Sequence, residues 1–147
     1  MINQAYGDFS ITCPTFLFGS QFIKPTLGGV LDHYAWLLTR PAAVHIMRAC
    51  RQGWAAGTVC HADDLFSLFT IAAQRAEADR AVSRAIRDSW ASFARSGKMA
   101  GEGVVHWPEA AQANGSSFVM ALDSTFHLLE NVHRETCEHF WRARIFV

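Results

Sequence analysis

From Arg75 to Ser96, Ala78, Val82, Ile86, Trp90 and Phe93 recur at helical spacing, while Arg80, Arg84, Arg87 and Arg95 fall mainly on the opposite side. Gly97 follows as a C′ glycine. An amphipathic helix of this length must lay its apolar stripe on other elements, so the chain has to provide a core around it. The composition meets that demand: half of the 147 residues are hydrophobic, and one domain of this size buries roughly 68 to 70% of its unfolded surface. Disorder is thereby excluded.

The other elements are shorter. Residues 9 to 23 mix Phe, Ile, Leu and Thr around Pro14, which predicts a short helix after the proline, ending near Gln21. Pro25 and Gly28-Gly29 punctuate the chain, and Val30 to Leu38, bounded by Arg40-Pro41, reads as a buried strand. Ala42 to Thr58 reads as loop, with Trp54 and His45 as candidate anchors. Trp107-Pro108 marks an extended turn, because the residue before proline is pushed out of the α region. Ser117 to Leu122 and Thr125 to Leu129, split by Asp123-Ser124, predict a small hairpin. Asn131 is placed to N-cap a last helix whose Val132, Cys137, Phe140 and Trp141 share an apolar side.

Several functions are ruled out by counting. Lys+Arg and Asp+Glu are equal at 13 each, so no basic field exists to hold nucleic acid. The longest apolar run, Leu65 to Ala73, falls far short of the ~20 residues of a membrane span. The first twenty residues lack the basic and apolar regions of a signal peptide, so either the chain is cytosolic or its true N-terminus lies elsewhere. Four cysteines (Cys13, Cys50, Cys60, Cys137) allow three pairings, and no C-x-x-C pair offers a zinc or redox motif.

Nor do the familiar sites appear. His133 and His139 are six apart, and no other histidine pair has the spacing of a helical ligand pair, which argues against a metal. Cys60 adjoins His61, but adjacency does not turn the two side chains toward each other as a nucleophile and base require. A G-x-S-x-G nucleophile elbow is absent from these residues. The segment Gly57 to Phe69, GTVCHADDLFSLF, stands apart: His61 is followed by Asp63 and Asp64 and then by an apolar stretch, so a polar cluster sits where a loop enters a packed helix or turn.

This segment resembles the catalytic-histidine motif of the type B carboxylesterases, the cholinesterase-like serine hydrolases. There a Gly-x-x-His-(Ala/Gly)-x-(Asp/Glu)-Leu pattern leads into an aromatic-rich stretch; here Cys60 is inserted between Val59 and His61. Tyr6-Gly7-Asp8 through Ile11-Thr12-Cys13-Pro14-Thr15 resembles the family's Asp-x-x-(Phe/Ile)-x-Cys-Pro element, and Val30 to Leu38 the strand that follows it. Ser89 to Gly97 (SWASFARSG) resembles the family's Trp-x-x-Phe-Ala-(Lys/Arg)-(Thr/Ser)-Gly helix end. Trp107-Pro108 matches its Trp-Pro turn. Cys137 to Trp141 resembles the Cys-x-Phe-Trp of its last helix, with one extra residue. Six elements stand in the family's order over nearly the whole chain.

The resemblance implies an α/β fold: the C-terminal segment of an α/β-hydrolase, residues 1 to 147, with few strands and several helices, incomplete as an independent domain. The triad of such proteins runs Ser, acid, His, and only the portion bearing the histidine is present. By position His61 is the general base of carboxylic-ester hydrolysis, and Asp64 matches an acidic position that supports the site electrostatically. Asp63 is expected to be solvated, and Trp54 to pack rather than to line a pocket. The nucleophile, the oxyanion donors and the triad acid belong to sequence upstream of Met1 in the family, so the implied partners are that N-terminal portion and a small-molecule ester. No cofactor is implied, and the isolated chain is expected to be inactive. Cys13 and Cys137 occupy positions that the cholinesterase branch joins by a disulfide, leaving Cys50 and Cys60 as thiols or a second pair. A bridge there favours the secretory pathway over the cytoplasm. Two other readings compete: a non-catalytic adhesion module on the same scaffold, and an unrelated small α+β domain.

Overall fold

The computed structural model describes residues 2–19, 33–42, 45, 57–69, 77–104, 106–110 and 117–141. Along them run α1 (Ile2–Gly7), a π-helical stretch (Asp8–Thr12), α2 (Cys13–Gly19), β1 (Trp36–Leu38), α3 (Asp63–Phe69), α4 (Glu77–Ser96), β2 (Phe118–Leu122), β3 (His127–Glu130) and a second π-helical stretch (Glu135–Trp141). The chain divides into two compact units. One comprises Met1–His33, Glu109–Val119 and Glu130–Val147, the other Tyr34–Pro108 and Met120–Leu129.

The second unit carries the sheet. β1 and β2 pair in parallel, with Trp36 opposite Met120, Leu37 opposite Ala121 and Leu38 opposite Leu122; β3 hydrogen-bonds to the other side of β2. A parallel pair needs a long crossover, and α3 and α4 lie within it. Only four residues link β2 to β3, too few for a crossover, in keeping with the predicted hairpin. Val119 to Leu122 are buried without alternation, the pattern of a strand covered on both faces.

The long helix forms as its periodicity predicts, from Glu77 within the described residues. Val82, Ala85 and Ile86 join Trp107, Met120, Leu122 and Phe126 in the core, each large side chain contributing roughly 1.5–3 kcal/mol on full burial. Trp36 and Trp90 pack with centroids 5.8 Å apart, and Trp107 meets Phe126 edge-on at 6.4 Å. Phe93, counted in the apolar stripe, is exposed, though its ring edge contacts Tyr34. Ser83 and Ser89 are also fully buried: Ser89 donates to the Ala85 carbonyl at 2.8 Å, and Ser83 donates to the Ser67 carbonyl, tying α4 to α3. Arg40 pairs with the buried Asp79 at 3.2 Å in the first turn of α4, where the helix dipole favours a carboxylate. At the far end Gly97 has φ 72° and its N–H donates to the Phe93 carbonyl at 2.8 Å, the left-handed cap expected of it.

In the first unit the helix after Pro14 forms, but it continues one that begins at Ile2. A proline inside an α-helix collides with the carbonyl four residues back, here that of Ser10. The preceding stretch is π-wound, with the Cys13 N–H donating to the Asp8 carbonyl, and this change of register leads the helix into Pro14. A second π-helical stretch takes in the extra residue of Cys137–Trp141, since i→i+5 bonding holds one residue more per closed ring than i→i+4. The Cys13–Cys137 disulfide joins the two helical stretches, with Cα atoms 5.0 Å apart, and Phe9 packs on Trp141 at 5.3 Å. Burial holds the His33 imidazole below its ordinary pKa, an effect opposed by the nearby Glu109 carboxylate.

Two expectations are corrected here. The strand predicted over Val30–Leu38 is confined to Trp36–Leu38 among the described residues and is half-buried; residues 30–32 lie outside them. Asn131 does not N-cap with its side chain. It sits at φ 53°, and its Oδ1 accepts from the Ser117 N–H at 3.1 Å, so its amide serves the start of β2 while its carbonyl accepts from the Arg134 N–H. An Asn tolerates the left-handed region and bonds readily to nearby backbone, and both properties are used in that turn.

Candidate functional site

His61 and Ala62 form a turn that leads directly into α3. Cys60 and Asp63 close it from both ends: the Asp63 N–H donates to the Cys60 carbonyl at 3.2 Å, and the Cys60 N–H donates to Asp63 Oδ2 at 2.8 Å. Between them Ala62 has φ 70°, a left-handed conformation that costs an L-residue roughly 1–2 kcal/mol. His61 is exposed, and no described residue hydrogen-bonds its ring.

Asp63 takes a different place from the one expected. Asp63 is 0% exposed rather than solvated, and the same Oδ2 lies 2.8 Å from Nδ1 of His45, itself only 7% exposed. Its second oxygen, Oδ1, is buried without a hydrogen-bond partner. The reason is positional: Asp63 opens α3, and its side chain folds back over the turn to accept the otherwise idle Cys60 N–H. Asp64 is half-buried on the same first turn. Both acids stand at a helix N-terminus, which favours negative charge there.

His45 is the residue that sequence reasoning placed least well. It was an anchor candidate in a stretch read as loop, and its partner lies 18 residues further on, beyond the reach of any local pattern. Trp54 lies outside the described residues, as does Cys50. Cys60 is disulfide-bonded, which decides between the thiol and second-pair alternatives for this cysteine. Among the described residues no group of His, Cys, Asp and Glu could hold a metal, and no helix is long and apolar enough to cross a membrane.

His61 is thus displayed, exposed, on a turn closed by the buried Asp63 carboxylate. The sequence pattern described as "Carboxylesterase family" matches residues 2–141. Over 58 residues the chain is 38% identical to liver carboxylesterase of Sus scrofa and 40% identical to liver carboxylesterase 1 of Mus musculus; each alignment covers 37% of this chain and 10% of the relative. The chain thus spans about a tenth of the length of these relatives in the aligned stretch. With a match that runs from α1 to the last π-helical stretch, and an α/β arrangement in accord with it, the chain belongs to the carboxylesterase family.

Proposed function

We propose that this chain supplies the general base, His61, of an enzyme that hydrolyses small-molecule carboxylic esters. The observation that carries the reading is the display of His61, exposed, on a turn whose two ends are tied to a buried carboxylate, within a family match that spans the motif. In the reaction, His61 takes the proton of a serine hydroxyl as the oxygen attacks the ester carbonyl. It then returns that proton to the departing alcohol. Water repeats the cycle on the acyl-enzyme: His61 removes a water proton, the acyl–serine bond breaks, and the serine regains its proton. No cofactor enters any step.

The serine, the acid that orients the imidazole and the backbone donors for the oxyanion come from sequence outside these residues. Asp64, half-buried one residue beyond Asp63, adds negative charge that favours the imidazolium formed in the transition state. The apolar side chains of Tyr6, Phe18 and Phe69, which are 70%, 67% and 80% exposed, are surface that the rest of the hydrolase domain would cover. The disulfides at Cys13–Cys137 and at Cys60 support passage through an oxidising compartment.

The test compares the chain alone with the chain in the full-length protein. Alone, it neither hydrolyses a p-nitrophenyl ester above the background of free imidazole nor labels with a fluorophosphonate; joined to the upstream hydrolase segment, it does both. Labelling of the isolated chain at any serine contradicts the proposal.

A further inference from the structure

We propose that Asp63 is the positioning residue of His61, a role that rests on the general-base reading above. The geometry separates it from its sequence neighbour Asp64. Asp63 bonds to Cys60 twice, donating its N–H to the Cys60 carbonyl and accepting the Cys60 N–H on its carboxylate, so His61 and Ala62 are the two residues enclosed between them. With Ala62 at φ 70°, the enclosed peptide stands in a conformation the chain would leave if the ring opened. The carboxylate therefore holds a strained turn closed.

Its own position is fixed from the other side. Oδ2 lies 2.8 Å from His45 Nδ1, and both residues are more than nine-tenths buried. Hydrogen bonds to an ionised group are about twice as strong as neutral ones, and they gain further where water is excluded. Cys60 is held as well by its disulfide. The turn that carries His61 thus rests on three ties that the general-base step never uses: the closing pair of bonds, the His45 contact and the disulfide. Meanwhile Oδ1 is buried without a partner, so the full solvation of this carboxylate is given up for the bonds that Oδ2 makes. Displacement of a reacting group by about 1 Å can cost on the order of 10²-fold in rate. A turn released from Asp63 would move His61 by such an amount without removing any group that touches the ester.

The experiment uses the full-length protein, with active sites counted by fluorophosphonate titration so that rates refer to folded enzyme. Asp63→Ala is expected to lower kcat per titrated site by about 10²-fold with KM within about threefold, because binding does not depend on the turn. Asp63→Asn, whose carbonyl oxygen can replace Oδ2 in both bonds, is expected to restore kcat to within about tenfold of the parent. His45→Gln is expected to lower kcat by several-fold at constant KM. His61→Ala, measured in parallel, keeps the two claims apart. If it abolishes turnover while Asp63→Ala and His45→Gln retain full kcat per site, Asp63 is structural only and the inference falls. If His61→Ala retains activity, the general-base reading falls first. Should Asp63→Ala fail to fold, Asp63→Asn and His45→Gln decide. An Asn variant no better than 10²-fold below the parent overturns positioning by geometry, and so does a His45→Gln variant at full rate.

Discussion

Replacing Cys13 and Cys137 together by alanine removes a crosslink between residues 124 apart in sequence. On the chain-entropy model a loop of that length restricts the unfolded state by about 5 kcal/mol at 25 °C. That is an upper figure, since strain in the native state subtracts from it, but native domains are stable by only about 5–15 kcal/mol, so even part of it matters. The double replacement is the informative one, since both half-cystines are buried and a single substitution would leave a lone thiol in the core. Alanine in each buried site also removes a sulfur atom, which adds a small packing loss to the entropic one. The assay has two stages. Non-reducing peptide mapping of the native full-length protein should recover a crosslinked Cys13–Cys137 peptide, and urea unfolding should then show the double variant less stable by roughly 2–5 kcal/mol. Both thiols alkylated without reduction would refute the bridge. A double variant within about 0.5 kcal/mol of the parent would refute its thermodynamic role.

Three further outcomes are expected. Ala62→Gly should stabilise the full-length protein by about 0.5–1 kcal/mol in urea unfolding, since glycine relieves the left-handed strain and returns only part of the gain as chain entropy, while Ala62→Val should destabilise it. Ile86→Ala, at a position 2% exposed in the centre of the α4 face, should cost about 2–5 kcal/mol and leave the labelling stoichiometry of folded enzyme unchanged. The 147-residue chain by itself should bind a hydrophobic dye and unfold without cooperativity, because the edge of β1 and exposed side chains such as Phe18 and Phe69 present apolar surface; a sharp two-state transition with dispersed amide signals would contradict this.

Local rules accounted for the parts of the fold that local physics determines. The α4 stripe, its Gly97 cap and the hairpin each follow from a few adjacent residues, and each forms. The beginning of the chain shows where such rules stop: Pro14 marks a helix start only if the preceding turn is α-wound, and a π-wound turn before it lets the helix run through from Ile2. Asn131 bears the signature of an N-cap, but its amide is drawn to Ser117, 14 residues earlier, by the strand start beside it. The site divides in the same way. His61 stands out through its motif and Cys13–Cys137 through family resemblance, both carried by the residues themselves. Nothing local distinguishes Asp63 from Asp64; the difference is which one the first turn of α3 points inward, and that depends on packing. His45 reads only as a candidate anchor, with nothing to name its partner until folding brings it to Asp63.

Turnover of a p-nitrophenyl ester by the His61→Ala variant of the full-length protein decides whether His61 is the base of an ester hydrolase. Members of a triad act as a unit, so kcat should fall on the order of 10³-fold or more while the fold, read by circular dichroism, is unchanged. A correctly folded His61→Ala enzyme that turns over within tenfold of the parent would contradict the account.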